Sequence, residues 1–172
     1  MHKAVFLDRD GVINDNQYPV NRPEDLKLFP WTGEAIRLLN TAGFLIFVIT
    51  NQGGIEMGYF SHKDLDEIHQ SMMEILSQQN AQIHGIEYCP HFKTKCQCRK
   101  PEPGMILKAS QIHGIDLNHS YMVGDREMDI DAGNKAGCTT IKIGAPYAPA
   151  DYHAENLLIA AEIILTNTAA NP

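Results

Sequence analysis

Three apolar runs in this chain each stop at a short polar segment of the same character. Residues 3–7 (KAVFL) run into Asp8-Arg9-Asp10-Gly11, and residues 44–49 (FLIFVI) into Thr50-Asn51-Gln52-Gly53-Gly54. Residues 121–123 (YMV) run into Gly124-Asp125. Short continuous apolar runs are the mark of strands covered on both faces, as in parallel sheets. Between them the apolar spacing becomes helical. Ala35, Ile36, Leu38, Leu39 and Ala42 share one face of a predicted helix over 30–42 that Gly43 stops. Leu65, Ile68, Met72, Ile75 and Leu76 mark the buried face of another, opened by the capping-box-like pair Ser61 and Asp64. Further strands are predicted at 86–88 and 139–143. Further helices are predicted from Pro103 to about 113, from Asp125 to about 137, and over 157–165. Strand–helix alternation of this kind predicts an α/β fold, a doubly wound parallel sheet forming a single domain over 1–172. Ligands bind such sheets at the carboxyl ends of the strands, so the three polar segments should converge on a site. Residues 166–172 (TNTAANP) are small and polar and are expected to form a disordered tail.

The net charge of -7 argues against generic nucleic-acid or anionic-membrane binding. An anionic ligand would therefore need local positive charge from a metal ion or from placed Lys and Arg. There is no apolar run of transmembrane length and no signal-peptide layout at MHKAVFLDRD, so a cytoplasmic setting is expected. There, clustered cysteines mean metal more often than disulfide.

Asp8 and Asp10 lie two apart past a strand and would project to the same side in extended backbone. Two close carboxylates repel unless a cation or a shared proton intervenes. The pair reads either as a solvated acidic turn or as a hard-cation site with a carboxylate nucleophile. Gly124-Asp125-x-x-x-Asp129 is weak alone, since Asp also caps helices, and Thr50 and Lys100 alone would be a turn residue and a surface lysine. Their joint occurrence in this order, each after a strand or before a helix, favours chemistry.

With these motifs in place the chain resembles the haloacid dehalogenase superfamily of phosphatases, over roughly residues 3–144. It is most similar to the small-capped branch of histidinol-phosphate phosphatases and D-glycero-D-manno-heptose 1,7-bisphosphate phosphatases. "FLDRDGVIN", "VITNQGGI", "CPH…CQCRKPEPGM" and "YMVGD" carry the likeness. The resemblance implies a Rossmannoid core with a minimal cap. It implies that Asp8 attacks phosphorus to form an aspartyl phosphate while its other oxygen binds Mg²⁺, with the Asp10 carbonyl and Asp125 as further ligands. Asp10 would protonate the leaving oxygen and then activate water. Thr50 and Lys100 would bind the transferring phosphoryl oxygens, and Asp129 would orient Lys100 or a water of the ion's shell. Candidate substrate contacts flank these motifs: Arg9, Gly11, Asp15, Tyr18, Asn51, Gln52, Gly53, Arg99 and Arg126.

Cys89-x-His91 and Cys96-x-Cys98 supply four ligands, enough for a closed tetrahedral zinc site with no open position for catalysis. The spacing is unlike a C-x-x-C redox pair, and the acidic chain disfavours a nucleic-acid zinc knuckle. Structural zinc is expected over residues 89–98, against free thiols or another metal. Ordering this loop would place Arg99 and Lys100 over a phosphate pocket. Cys138 reads as a buried thiol, and His62, His69, His84, His113, His119 and His153 as surface or packing residues.

The expected substrate is a phosphorylated sugar, D-glycero-D-manno-heptose 1,7-bisphosphate cleaved at the 7-phosphate, by a monomer with no nucleic-acid or membrane partner. "GIEMGYFS" favours the heptose enzymes, whereas Arg126 is similar to the histidinol-phosphate relatives. Histidinol phosphate is the alternative substrate. A non-catalytic phosphate- or metal-binding module is the alternative class, and it would be expected to lack one of Asp8, Asp10, Lys100 or Asp125.

Overall fold

The computed structural model describes residues 1–170. Six strands form one parallel sheet: β1 (Ala4–Leu7), β2 (Leu45–Asn51), β3 (Gly85–Cys89), β4 (Tyr121–Gly124), β5 (Thr139–Ile143) and β6 (Tyr152–Ala154). Their order across the sheet is β3-β2-β1-β4-β5-β6. The helices are α1 (Thr32–Thr41), α2 (His62–Gln78), α3 (Gly104–His113), α4 (Glu127–Ala136) and α5 (Leu157–Ala170). The expected doubly wound sheet is the fold observed.

Side chains alternate between the two faces of the sheet, and each face meets helices. Val5 and Leu7 of β1 and Ile46 and Val48 of β2 pack with Ile36 and Leu39 of α1, Ile68 and Met72 of α2, and Ala161 and Ile164 of α5. Ala4, Phe6, Phe47 and Ile49 turn the other way, onto Met105, Ile106 and Ala109 of α3 and Ala132 of α4. No position along β1 or the middle of β2 meets water, which is why these strands read as unbroken apolar runs. Ser61 caps α2 as its sequence suggests, accepting from the Asp64 N–H at 3.1 Å while its own N–H donates to the Asp64 carboxylate at 2.7 Å.

Two expectations need correction. β6 was not foreseen, because three residues with an exposed Tyr152 and His153 carry no apolar run; it forms by pairing in parallel with Ile141–Ile143 of β5. Residues 166–170 are not a disordered tail but the last turns of α5. Thr166 and Thr168 donate their hydroxyls to the carbonyls of Glu162 and Ile164, and alanine is the best helix former. Residues 171 and 172 of that expected tail lie outside the described residues. No helix among the described residues is long and apolar enough to cross a membrane.

The order of strands places the site. The chain steps from β1 out to β2 and β3, then returns to lay β4 on the other side of β1. Loops leaving β1 and β4 therefore part in opposite directions, and the crevice between them is where open α/β sheets bind ligands.

Candidate active site

Asp8 follows β1, Asp125 follows β4, and Asp129 projects from the first turn of α4. Each offers a carboxylate oxygen within 4.8 Å of the others. Local sequence permits this crowding. Gly11 has φ +87, and a side chain there would start 2.2 Å from the Asp125 carboxylate. A side chain at Gly124 would start 2.1 Å from Asp129 Cβ. Lys100, only 2% exposed, inserts its ammonium among them. Its Nζ lies 2.8 Å from Asp8 Oδ1 and 2.7 Å from Asp129 Oδ1, and donates to the Ile49 carbonyl at 2.7 Å. The contact with Asp129 Oδ1 is an ion pair without an aligned hydrogen bond.

One ammonium does not neutralise three carboxylates. Burial and the neighbouring Asp129 push Asp8 well above the ordinary carboxylate range, against the pull of Lys100. Burial and Asp129 likewise raise Asp125. Burial opposes the charge on Lys100, but Asp8 and Asp129 outweigh it and hold the ammonium more basic than usual. Asp125 Oδ1 is buried with no hydrogen-bond partner. An all-oxygen cluster with excess negative charge and an orphaned buried oxygen fits a hard divalent cation.

Asp10 is turned the other way within the same crevice. Its carboxylate accepts from Arg9 Nη2 at 2.8 Å, Asn14 Nδ2 at 3.0 Å and Gln52 Nε2 at 3.1 Å. Burial pushes its pKa up, but the Arg9 charge and these hydrogen bonds prevail and hold it below its ordinary value. Gln52 also donates to Thr50 Oγ1 at 2.9 Å. The Asn51 amide clamps Lys100, donating to its carbonyl at 3.1 Å and accepting from its N–H at 3.0 Å.

A pocket of about 200 Å³ opens over these groups. Asp8, Asp10, Asn51, Gly53, Arg99, Lys100, Arg126 and Asp129 line it, joined by Gly54, Met57, Phe92 and Met128. Arg9, 1% exposed, and Gln52, 5% exposed, are not in the lining of this pocket and instead hold the Asp10 carboxylate. Gly11 serves Asp125 through its shape. Thr50 is buried beneath the pocket, and Asp15 and Tyr18 lie outside its lining, Tyr18 being 78% exposed. The apolar lining by Met57, Phe92 and Met128 was not foreseen, since single apolar residues in loops carry no pattern.

The cysteine loop closes one side of the pocket. Sγ of Cys98 lies 3.0 Å from Cys89 and 3.3 Å from Cys96, and His91 Nδ1 lies 3.6 Å from both Cys89 and Cys98. A tetrahedral zinc with bonds of about 2.3 Å to sulfur has edges of about 3.8 Å, so the four atoms need open only slightly to hold one. Burial raises Cys89, whereas hydrogen bonds from Cys98 and the Arg99 N–H overcome burial at Cys96 and draw it down to about 6. Cys98, like Cys89, is raised by burial, so only Cys96 is drawn toward the thiolate. Arg99 donates to the His91 carbonyl at 2.7 Å, and its guanidinium carbon lies 5.4 Å from the centre of the Phe92 ring. From the β2 side, Glu56 accepts from the N–H groups of Phe92, Lys93 and Thr94 at the loop's tip. That clamp had no signal in the sequence.

Comparison with known proteins agrees with this geometry. The HAD-hydrolase-like family model matches residues 97–154. A D-glycero-beta-D-manno-heptose-1,7-bisphosphate 7-phosphatase of Rhodopseudomonas palustris is 41% identical, covering 78% of this chain and 79% of the relative. The enzyme of the same name from Escherichia coli K12 is 36% identical over 98% of this chain and 91% of its own. The crystal structure of D,D-heptose 1,7-bisphosphate phosphatase from B. bronchiseptica, complexed with magnesium and phosphate, superposes with a TM-score of 0.88. It is 31% identical and covers 96% of this chain and 99% of that one. The chain belongs to the haloacid-dehalogenase-like hydrolases, within the family of phosphoric monoester hydrolases that these heptose bisphosphate phosphatases represent.

Proposed function

We propose that the protein is a magnesium-dependent phosphatase that removes the 7-phosphate of D-glycero-β-D-manno-heptose 1,7-bisphosphate through an aspartyl phosphate on Asp8. The observation that carries this reading is the buried Asp8–Lys100–Asp129 cluster at the floor of the pocket, with Asp125 beside it. The relatives supply the substrate. Histidinol phosphate and a non-catalytic module remain as outcomes of the test below.

Asp8 and Asp125, with the Asp10 carbonyl, would hold the ion. When bound, magnesium supplies positive charge against the phosphoryl oxygens and keeps Asp8 ionised. In the first step an Asp8 oxygen bonds to phosphorus as the bond to the sugar oxygen breaks, and Asp10 gives that oxygen a proton. In the second, Asp10 takes a proton from water, whose oxygen bonds to phosphorus and releases phosphate and the free Asp8 carboxylate. Asp10 is ionised at rest, which suits it to the second step. The arriving phosphate's negative charge opposes Arg9 and raises its proton affinity, which suits it to the first. Lys100 stabilises charge on the transferring group, and Asp129 keeps Lys100 aimed.

Asp8→Asn should fold normally and lose nearly all activity, because an amide cannot form the acyl phosphate. The same assay across phosphate esters with Mg²⁺ tests the substrate: kcat/KM for the heptose bisphosphate should exceed that for histidinol phosphate by about tenfold or more. Preference for histidinol phosphate would move the enzyme to that branch. Absence of turnover with every ester would leave only a binding module.

A further inference from the structure

Arg9 is among the largest fully buried side chains of the described residues. A buried guanidinium must have its N–H groups satisfied, and it can only donate. Nε and Nη2 go to Asp10, at 3.2 Å and 2.8 Å to Oδ1, with Nη2 also 3.1 Å from Oδ2. Nη1 lies 3.2 Å from Nε2 of His69, a residue of α2 that is 5% exposed. Since arginine never gives up its proton, His69 Nε2 must accept, so the imidazole is neutral with its proton on Nδ1. Burial, followed by the Arg9 charge, lowers the His69 pKa to about 3, in keeping with a neutral ring.

We propose that His69 is a positioning residue for Asp10, acting through Arg9: as a neutral acceptor it fixes the rotation of the guanidinium, whose fork then fixes the Asp10 carboxylate at the pocket's edge. The inference rests on the reading of Asp10 as the acid that protonates the leaving oxygen. A bidentate fork is directional, so a guanidinium released at Nη1 would carry Asp10 with it.

The test compares kcat/KM for the heptose bisphosphate and for p-nitrophenyl phosphate, since this ratio covers only the steps through departure of the alcohol. A sugar alkoxide needs a proton to leave, whereas p-nitrophenolate does not. His69→Leu, which lacks an acceptor, should lower the value for the sugar ester by about tenfold or more. It should change that for p-nitrophenyl phosphate by less than about threefold. His69→Gln, which restores an acceptor, should recover most of the loss. An equal fall on both substrates, or no fall, would overturn the proposal and leave His69 as packing. Asp10→Asn is assayed beside them. If it shows no leaving-group dependence, the reading of Asp10 as acid fails and the proposal with it. If it does and His69→Leu does not, the proposal alone fails. Should His69→Leu not fold, ¹⁵N NMR of the wild-type protein at neutral pH decides: His69 Nε2 unprotonated is the expected result, and a proton on Nε2 would overturn it.

Discussion

Lys100 is held by two carboxylates and the Ile49 carbonyl, almost wholly out of water. Breaking such an arrangement from one side leaves uncompensated buried charge, which costs about 3–5 kcal/mol. Lys100→Met should therefore lower unfolding stability at pH 7 by about that amount, measured by urea titration. Asp8 already has a folded pKa above its unfolded value, so protonation favours the folded state and stability falls as pH rises through that window. The variant's deficit should be greatest near neutrality and shrink toward pH 4; a deficit independent of pH would point to lost packing instead. Arg99 poses a question of specificity. With one N–H bound to the His91 carbonyl and its face on Phe92, Arg99 borders the pocket. Arg99→Ala should cut kcat/KM for a bisphosphate by about one to two decades, roughly 1.5–3 kcal/mol, and leave p-nitrophenyl phosphate hydrolysis nearly unchanged. Equal loss on both would make Arg99 a contact of the transferring group or a support of the loop. The motifs made Asp8, Lys100 and Asp125 legible. They said nothing of the partners of Arg9, which are its own neighbour Asp10 and the distant His69.

The strands and helices were legible because burial on both faces leaves a pattern that needs no tertiary knowledge. β6 and the end of α5 were not, since pairing with β5 and local hydroxyl bonds decide them rather than apolar periodicity. The cysteine loop lies between these cases. Its ligand spacing was readable, but its anchoring by Glu56 joins residues far apart in sequence. Protein purified without added zinc should carry about one equivalent by elemental analysis. Stripping it with a chelator should speed amide exchange in residues 91–98 while the far-ultraviolet circular dichroism of the α/β core stays the same. Loss of the whole fold would instead make the metal part of the core, and a metal-free protein with full activity would contradict the assignment.

Across the whole molecule, acid should weaken the fold in part through one histidine. His69 titrates near 6.5 when unfolded and near 3 when folded, so between those values the unfolded chain binds the extra proton and stability falls as pH falls. The slope reaches about 1.4 kcal/mol per pH unit below pH 6.5, and His69→Gln should remove it from the pH dependence of thermal unfolding. An unchanged profile would mean that His69 is open to protonation in the native state. From the sequence His69 read only as one of six surface or packing histidines; that its partner is Arg9 depends on α2 packing over the loop after β1. The strand order that makes the crevice also separates its halves along the chain, since Asp125 follows Asp8 by 117 residues. At about 5–20 residues per second of translation, Asp8 leaves the ribosome some 6 to 23 seconds before Asp125. A nascent chain therefore carries only part of the carboxylate cluster for most of its synthesis, and the crevice is complete only after β4 has docked beside β1.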